Sequence, residues 1–138
     1  MNQRSNKRAT LPTKRIAVIE DDTTVRDLIE DFIQDEGYEY DAFASPEEFK
    51  NSDINSFDII ITDIMLQDKR SAGVDMLVEF IDNCMDPQKT KIIFISNFGR
   101  ESIQTQLGKL ERYGCKFEWL AKPFSMLDLY ERICFGER

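Results

Sequence analysis

The chain has 138 residues, 41% of them hydrophobic, enough for one domain with a buried core and too many for a wholly disordered chain. Its net charge of −8 is uneven, because residues 1–15 carry five cations and no acid and so leave −13 on the remainder. Such an acidic body disfavours nonspecific binding to nucleic acid or anionic membrane, and no apolar run approaches the length of a membrane span.

The first ten residues lack the apolar stretch of a secretory signal, so a cytoplasmic protein is expected. Cys84, Cys115 and Cys134 have no paired spacing and the chain has no His. Reduced, structural thiols are therefore expected, with neither a disulfide framework nor a zinc site.

In chain order, residues 1–13 form a polar, basic tail, expected to be mobile, and residues 14–138 one domain. Arg15–Ile19 is a short apolar run of the kind a strand buried on both faces requires. Val25, Leu28, Ile29, Phe32 and Ile33 follow at helical spacing, with Asp27, Glu30, Asp31 and Asp35 toward water and Gly37 ending the helix. Tyr38–Phe43 alternates as a second strand. Ser45-Pro-Glu-Glu48 opens a short second helix, with Ser45 as cap, Pro46 in the first turn and Glu48 completing a capping box.

Phe57–Thr62 reads as the third strand, and Val74, Leu77, Val78 and Ile81 mark a third helix that stops before Pro87. Lys91–Ser96 is the fourth strand. Ile103, Leu107 and Leu110 mark a fourth helix ending near Gly114, Phe117–Leu120 the fifth strand, and Met126, Leu129, Tyr130 and Ile133 the fifth helix. Five strands alternating with five helices give an α/β fold: a doubly wound parallel sheet with right-handed crossovers and helices on both faces.

In such a sheet, function lies beyond the carboxyl ends of the strands, where strand order reverses. Four of the five strands deliver polar groups there: Glu20-Asp21-Asp22, Asp63, Ser96-Asn97 and Lys122. Each alone has an ordinary explanation. Glu20 to Asp22 suit a helix cap, Asp63 a turn, Ser96 a backbone contact and Lys122 a surface cation. Together, three carboxylates at one edge repel each other unless a counter-charge joins them. Lys122 supplies one positive charge, and a hard divalent ion with oxygen ligands, best Mg²⁺, would supply the rest. A carboxylate beside such charges can act as nucleophile toward phosphorus, with Ser96 donating to the product phosphate.

These residues resemble the receiver domains of two-component response regulators, chemotaxis-type regulators among them, over about Lys14 to Phe135. The likeness rests on Ile16-Ala-Val-Ile-Glu-Asp-Asp22, Asp58-Ile-Ile-Ile-Thr-Asp63, Ile92-Ile-Phe-Ile-Ser96 and Leu120-Ala-Lys-Pro-Phe124, in that order and separation. It implies a flavodoxin-like receiver fold with strand order 2-1-3-4-5. By position, Asp63 would be the phosphoacceptor, and Glu20, Asp21, Asp63 and the backbone carbonyl of Met65 would hold Mg²⁺. Ser96, Asn97 and Lys122 would contact the phosphoryl group, Ser96 and Trp119 would form the switch, and Lys122-Pro123 would be cis. The donor would be a sensor histidine kinase or phosphotransfer protein. A downstream protein or output domain would read the face of the fourth helix, fifth strand and fifth helix. The resemblance admits a homodimer and implies no direct contact with nucleic acid or membrane. It implies a signalling switch that catalyses only its own phosphorylation and dephosphorylation.

The chain departs from the family at three places. Gln67 stands where the family has Pro, Gly73 comes two residues late behind Asp68-Lys-Arg70, and Asn97 replaces a small residue. Met65 and Phe98 add apolar bulk at positions that tune hydrolysis in relatives. The alternative function is a receiver-shaped protein-binding module that works without phosphorylation. A phosphohydrolase of the haloacid dehalogenase type would need an Asp where Met65 stands.

Overall fold

The computed structural model describes residues 14–83 and 85–134. The tail at 1–13, Cys84 and residues 135–138 lie outside the described residues, so the expectations for the tail and for Cys84 are not addressed by it.

The strands are β1 (Arg15–Ile19), β2 (Glu39–Phe43), β3 (Ile59–Asp63), β4 (Lys91–Ser96) and β5 (Phe117–Ala121). The helices are α1 (Thr23–Asp35), α2 (Pro46–Lys50), α3 (Ala72–Asn83), α4 (Gln104–Arg112) and α5 (Met126–Cys134). All pairings are parallel, in the order β2-β1-β3-β4-β5, as the resemblance implies. The order reverses between β1 and β3, which places Asp63 and the residues after Ile19 beside the crevice.

Alternation along the strands divides the core. Ala17, Ile19 and Ile60 face one side, where Phe49 of α2, Val74 and Leu77 of α3 and Leu107 and Leu110 of α4 cover them. Ile16, Val18, Ile59 and Ile61 face the other, covered by Ile29 and Ile33 of α1 and Leu129 and Ile133 of α5. β3 and β4 are buried almost throughout, hence their apolar runs.

Local chemistry sets the element ends. Asp22 caps α1, accepting from the N–H groups of Thr24 at 2.9 Å and Val25 at 3.3 Å. Asp22→Ala is accordingly expected to lower stability by about 1 kcal/mol, read as a shift in urea midpoint without a change in slope. Gly37, at φ +83°, closes the same helix in a conformation that other residues resist. Ser45 caps α2 as expected, but Glu48 reaches back to the N–H of Ala44, one residue earlier than a standard capping box.

Three expectations need correcting. β3 begins at Ile59 and includes Asp63, because residues 54–56 form a single 3₁₀ turn whose end carries Phe57. Leu28 is 54% exposed, at the margin of the α1 stripe. Ile103, expected in the fourth helix, instead ends a second 3₁₀ turn, Arg100–Ile103, and α4 begins at Gln104.

Candidate functional site

The carboxyl ends of β1, β3 and β5 bring Glu20, Asp63 and Lys122 into direct contact. Lys122 Nζ donates to Asp63 Oδ2 at 2.6 Å and lies 3.2 Å from Glu20 Oε1. Glu20 is 1% exposed and Asp63 6%, so both carboxylates sit where solvent does little to screen them. Asp21, exposed, completes the group: one oxygen each of Glu20, Asp21 and Asp63 lies within 4.8 Å of the others.

The backbone fixes each position. Glu20 N–H donates to the Phe43 carbonyl at 3.0 Å, and Arg26 Nη1 donates to the Glu20 carbonyl at 2.8 Å. Lys122 N–H donates to the Ser96 carbonyl at 2.8 Å, extending the β4–β5 ladder to the lysine itself. The Lys122-Pro123 bond is cis, as expected. Met65 N–H donates to Asp63 Oδ1 at 3.1 Å, while Asp22 N–H donates to Glu20 Oε2 at 3.2 Å.

The acidic run therefore separates into three duties. Glu20 is buried beside Asp63, Asp21 faces the site from its exposed rim, and Asp22 turns away to cap α1. The structural explanation is the right one for Asp22.

Burial first, and then the charge of Asp63, push the Glu20 carboxyl up to about 7. Burial would lower the Lys122 ammonium, but the hydrogen bond to Asp63 and the charges of Asp63 and Glu20 outweigh it and raise it. Glu20 Oε1 is buried and accepts no hydrogen bond, so Lys122 balances it by charge alone. An orphaned carboxylate oxygen facing two further carboxylates fits a hard cation with oxygen ligands, as Mg²⁺ is.

A pH dependence follows. Between about 4.5 and about 7 the folded chain holds a proton on Glu20 that the unfolded chain has released. In metal-free protein this group's contribution to stability is largest below 4.5 and falls as pH rises through 7. A divalent cation held by this cluster would displace that proton, so a Mg²⁺ dissociation constant is expected to rise about tenfold per unit of pH below 7. Calorimetric Mg²⁺ titrations of the wild type and Glu20→Gln at several pH values check this, with the slope flattened in the variant.

Ser96 is 1% exposed beside the cluster, and its hydroxyl is engaged locally. It donates to the Phe98 carbonyl at 2.9 Å and accepts from the Phe98 N–H at 3.0 Å. Asn97 is exposed. Trp119 points inward, 9% exposed, its ring 6.1 Å from that of Phe94, with the Arg100 guanidinium 5.9 Å from its centroid. The side chain of Met65 is 38% exposed.

Two contributors escaped sequence reasoning. Arg100 lies over both Phe117 and Trp119, and the extra residues after Asp63 form a hairpin whose Gln67 N–H donates to Asp21 Oδ2 at 2.9 Å. The signal for the second was present, in the late glycine and the missing proline. A surface concavity near the amino ends of the strands, around Asp58, Lys91 and Phe117, includes none of the expected site residues.

A doubly wound sheet with carboxylates and a lysine gathered at its switch point has the form of a receiver domain. The chain belongs to the response regulator receiver domain family, whose model matches residues 16–134. It is thus a receiver domain of two-component signalling, from a family of switches rather than metabolic enzymes.

Solved structures agree on the fold. The chemotaxis protein CheY4 of Vibrio cholerae is 18% identical at a TM-score of 0.70, covering 91% of this chain and 100% of that one. A CheY-like receiver from Methanospirillum hungatei is 24% identical at 0.68, covering 88% and 91%. The BeF3-activated receiver domain of DrrB, from Thermotoga maritima, is 23% identical at 0.68, covering 88% and 95%. No curated protein gives a significant match. Among the described residues no helix is long and apolar enough to cross a membrane.

Proposed function

We propose that this receiver accepts a phosphoryl group on Asp63 from a phosphohistidine or small acyl phosphate and thereby switches a protein-binding face. The observation that carries the reading is the contact of Asp63 with Lys122 inside a buried carboxylate cluster. Holding Glu20 and Asp63 away from water costs free energy that a mere contact module would have no reason to retain.

Glu20, Asp21, Asp63 and the Met65 carbonyl would hold Mg²⁺, which when bound supplies positive charge to the phosphoryl oxygens. An oxygen of Asp63 attacks phosphorus as the P–N bond of the donor breaks, and the leaving imidazole takes a proton from solvent. Lys122, already beside Asp63, neutralises charge on the transferred group. Ser96 then exchanges its bond to the Phe98 carbonyl for one to a phosphoryl oxygen, and exposed Asn97 stands next to it at the rim.

That exchange frees the loop between β4 and the Arg100–Ile103 turn. Arg100 rests on Phe117 and Trp119, so a shift of this loop changes the cover over Trp119 and the surface of α4, β5 and α5. A sensor histidine kinase or phosphotransfer protein is the donor in this reading, and a downstream protein or output domain reads that face, in the cytoplasm.

Beryllofluoride with Mg²⁺ tests the proposal through the fluorescence of Trp119, the sole tryptophan. A saturable change in wild type that vanishes in Asp63→Asn is expected. An unchanged signal, with no beryllofluoride bound in calorimetry, refutes phosphoacceptor function and leaves the contact module.

A further inference from the structure

The segment between Asp63 and α3 is a built element. Leu66 and Lys69 pair as an antiparallel bridge, each N–H donating to the other's carbonyl, at 3.2 and 3.0 Å. The two residues between them, Gln67 at φ +55° and Asp68 at φ +64°, are both left-handed, which makes a tight two-residue hairpin. Asp68 tolerates this region but Gln67 does not favour it, so the conformation at Gln67 is held at a cost.

What holds it is visible at its base and tip. The Leu66 side chain is fully buried, Ala72 N–H donates to the Lys69 carbonyl at 3.2 Å, and Gly73 N–H donates to the Ile64 carbonyl at 2.8 Å. Arg70 lies over the Phe98 ring with its guanidinium 5.0 Å from the centroid, tying the element to the loop after β4. The tip delivers one polar contact into the site, the Gln67 N–H to Asp21 Oδ2 at 2.9 Å.

A proline in that position could not make this contact, having no N–H. Asp21 is exposed and sits on a loop, free to turn away from Glu20 and Asp63 if nothing restrains it. A hydrogen bond on Oδ2 restrains the carboxylate and leaves lone pairs free for a cation, as outer partners of metal ligands do. Lys122 is the one cation beside Glu20 Oε1 among the described residues, and the three carboxylates of Glu20, Asp21 and Asp63 leave negative charge that a further cation would balance.

We infer that the Leu66–Lys69 hairpin is a positioning element for Asp21, its Gln67 N–H setting the affinity of the site for a divalent cation. The inference rests on the proposed metal-assisted function. It assigns the residues by which the loop exceeds the family's usual length a role at the metal site. Gln67 and Arg70 act through Asp21 and Phe98, and neither needs to touch the phosphoryl group.

The test is calorimetric titration of the full chain with Mg²⁺ alone. Two variants delete the contact. In one, the Leu66–Gln67 amide becomes an ester, which removes the N–H and weakens the Leu66 carbonyl as acceptor from Lys69; an Asp68–Lys69 ester, which removes the donor of that same bridge bond, is its control and is expected to keep wild-type affinity. In the other, Asp68 and Lys69 are deleted and Gln67→Pro restores the shorter loop. Both are expected to bind Mg²⁺ about tenfold more weakly than wild type, the lower end of the effect of losing an outer partner of a ligand. Asp68→Gly, which relaxes the turn while keeping the N–H, is expected to retain wild-type affinity. In an Asp21→Asn background the ester is expected to have no further effect, a non-additivity that general loosening of the fold would not produce.

Equal or tighter Mg²⁺ binding in the ester variant, with wild type binding normally, overturns the positioning role and leaves the phosphoacceptor reading intact. Absence of Mg²⁺ binding by wild type overturns both.

Discussion

Gly73→Ala is expected to lower stability by about 3 kcal/mol and to slow phosphoryl uptake about 10²-fold. A Cβ at this position would lie 2.2 Å from the Asp63 carbonyl oxygen and 3.2 Å from the Ile64 Cα. Both are backbone atoms of the segment that presents Asp63, so the overlap cannot be relieved by rotating a side chain. Either α3 backs off the sheet, opening space around Val74 and Leu77, or the end of β3 moves and carries Asp63 with it. Urea unfolding reports the first and the rate of acetyl phosphate uptake the second. A loss of stability below about 0.5 kcal/mol would mean that α3 starts farther from Asp63 than described.

Lys122→Met is expected to reduce phosphoryl uptake about 10²-fold while strengthening Mg²⁺ binding, because in the proposed function the one side chain both aids transfer and competes with the metal. Without its ammonium, Glu20 and Asp63 face each other with no cation in contact. The metal-free variant is expected to lose about 2 kcal/mol at pH 8, against about 3–5 for an uncompensated buried pair, since Asp63 keeps its Met65 contact. The loss shrinks below pH 7, where Glu20, already raised to about 7, takes up a proton and removes the repulsion. Urea titrations at pH 6 and pH 8, with and without Mg²⁺, separate these effects. A deficit that is the same at both pH values and insensitive to Mg²⁺ would show that Lys122 merely packs.

Much of this was legible in the chain. Apolar runs such as Ile59–Ile61 and Ile92–Ile95 encode strands buried on both faces, and the spacing of Ile29, Ile33, Leu129 and Ile133 encodes the helices that cover them. The polar residues at strand ends were equally readable, since the topology sends Glu20, Asp63 and Lys122 to one edge. Spacing alone left Asp21 and Asp22 equivalent, and only the family resemblance singled out Asp21. Both follow β1, and only the capping geometry assigns Asp22 to the helix.

The late Gly73 and the missing proline marked a longer loop after Asp63, but its hairpin conformation was not readable. Turn chemistry announces left-handed positions with Gly, Asn or Asp, and of the pair only Asp68 is such a residue while Gln67 is not. Tertiary ties at Leu66, Arg70 and Gly73 impose a conformation that local preference opposes. Leu28 shows the converse, a residue at apolar spacing that the packing leaves outside. Arg100 was missed because a cation over aromatic rings from β5 leaves no mark in the spacing of either segment.

The most direct measurement is to locate the phosphoryl group itself. Wild-type chain incubated with acetyl phosphate and Mg²⁺, reduced with borohydride and mapped by peptide mass, is predicted to carry homoserine in place of Asp63 and nowhere else. Reduction product at Asp21 or Glu20, or none at any carboxylate while the protein remains folded, would contradict the account.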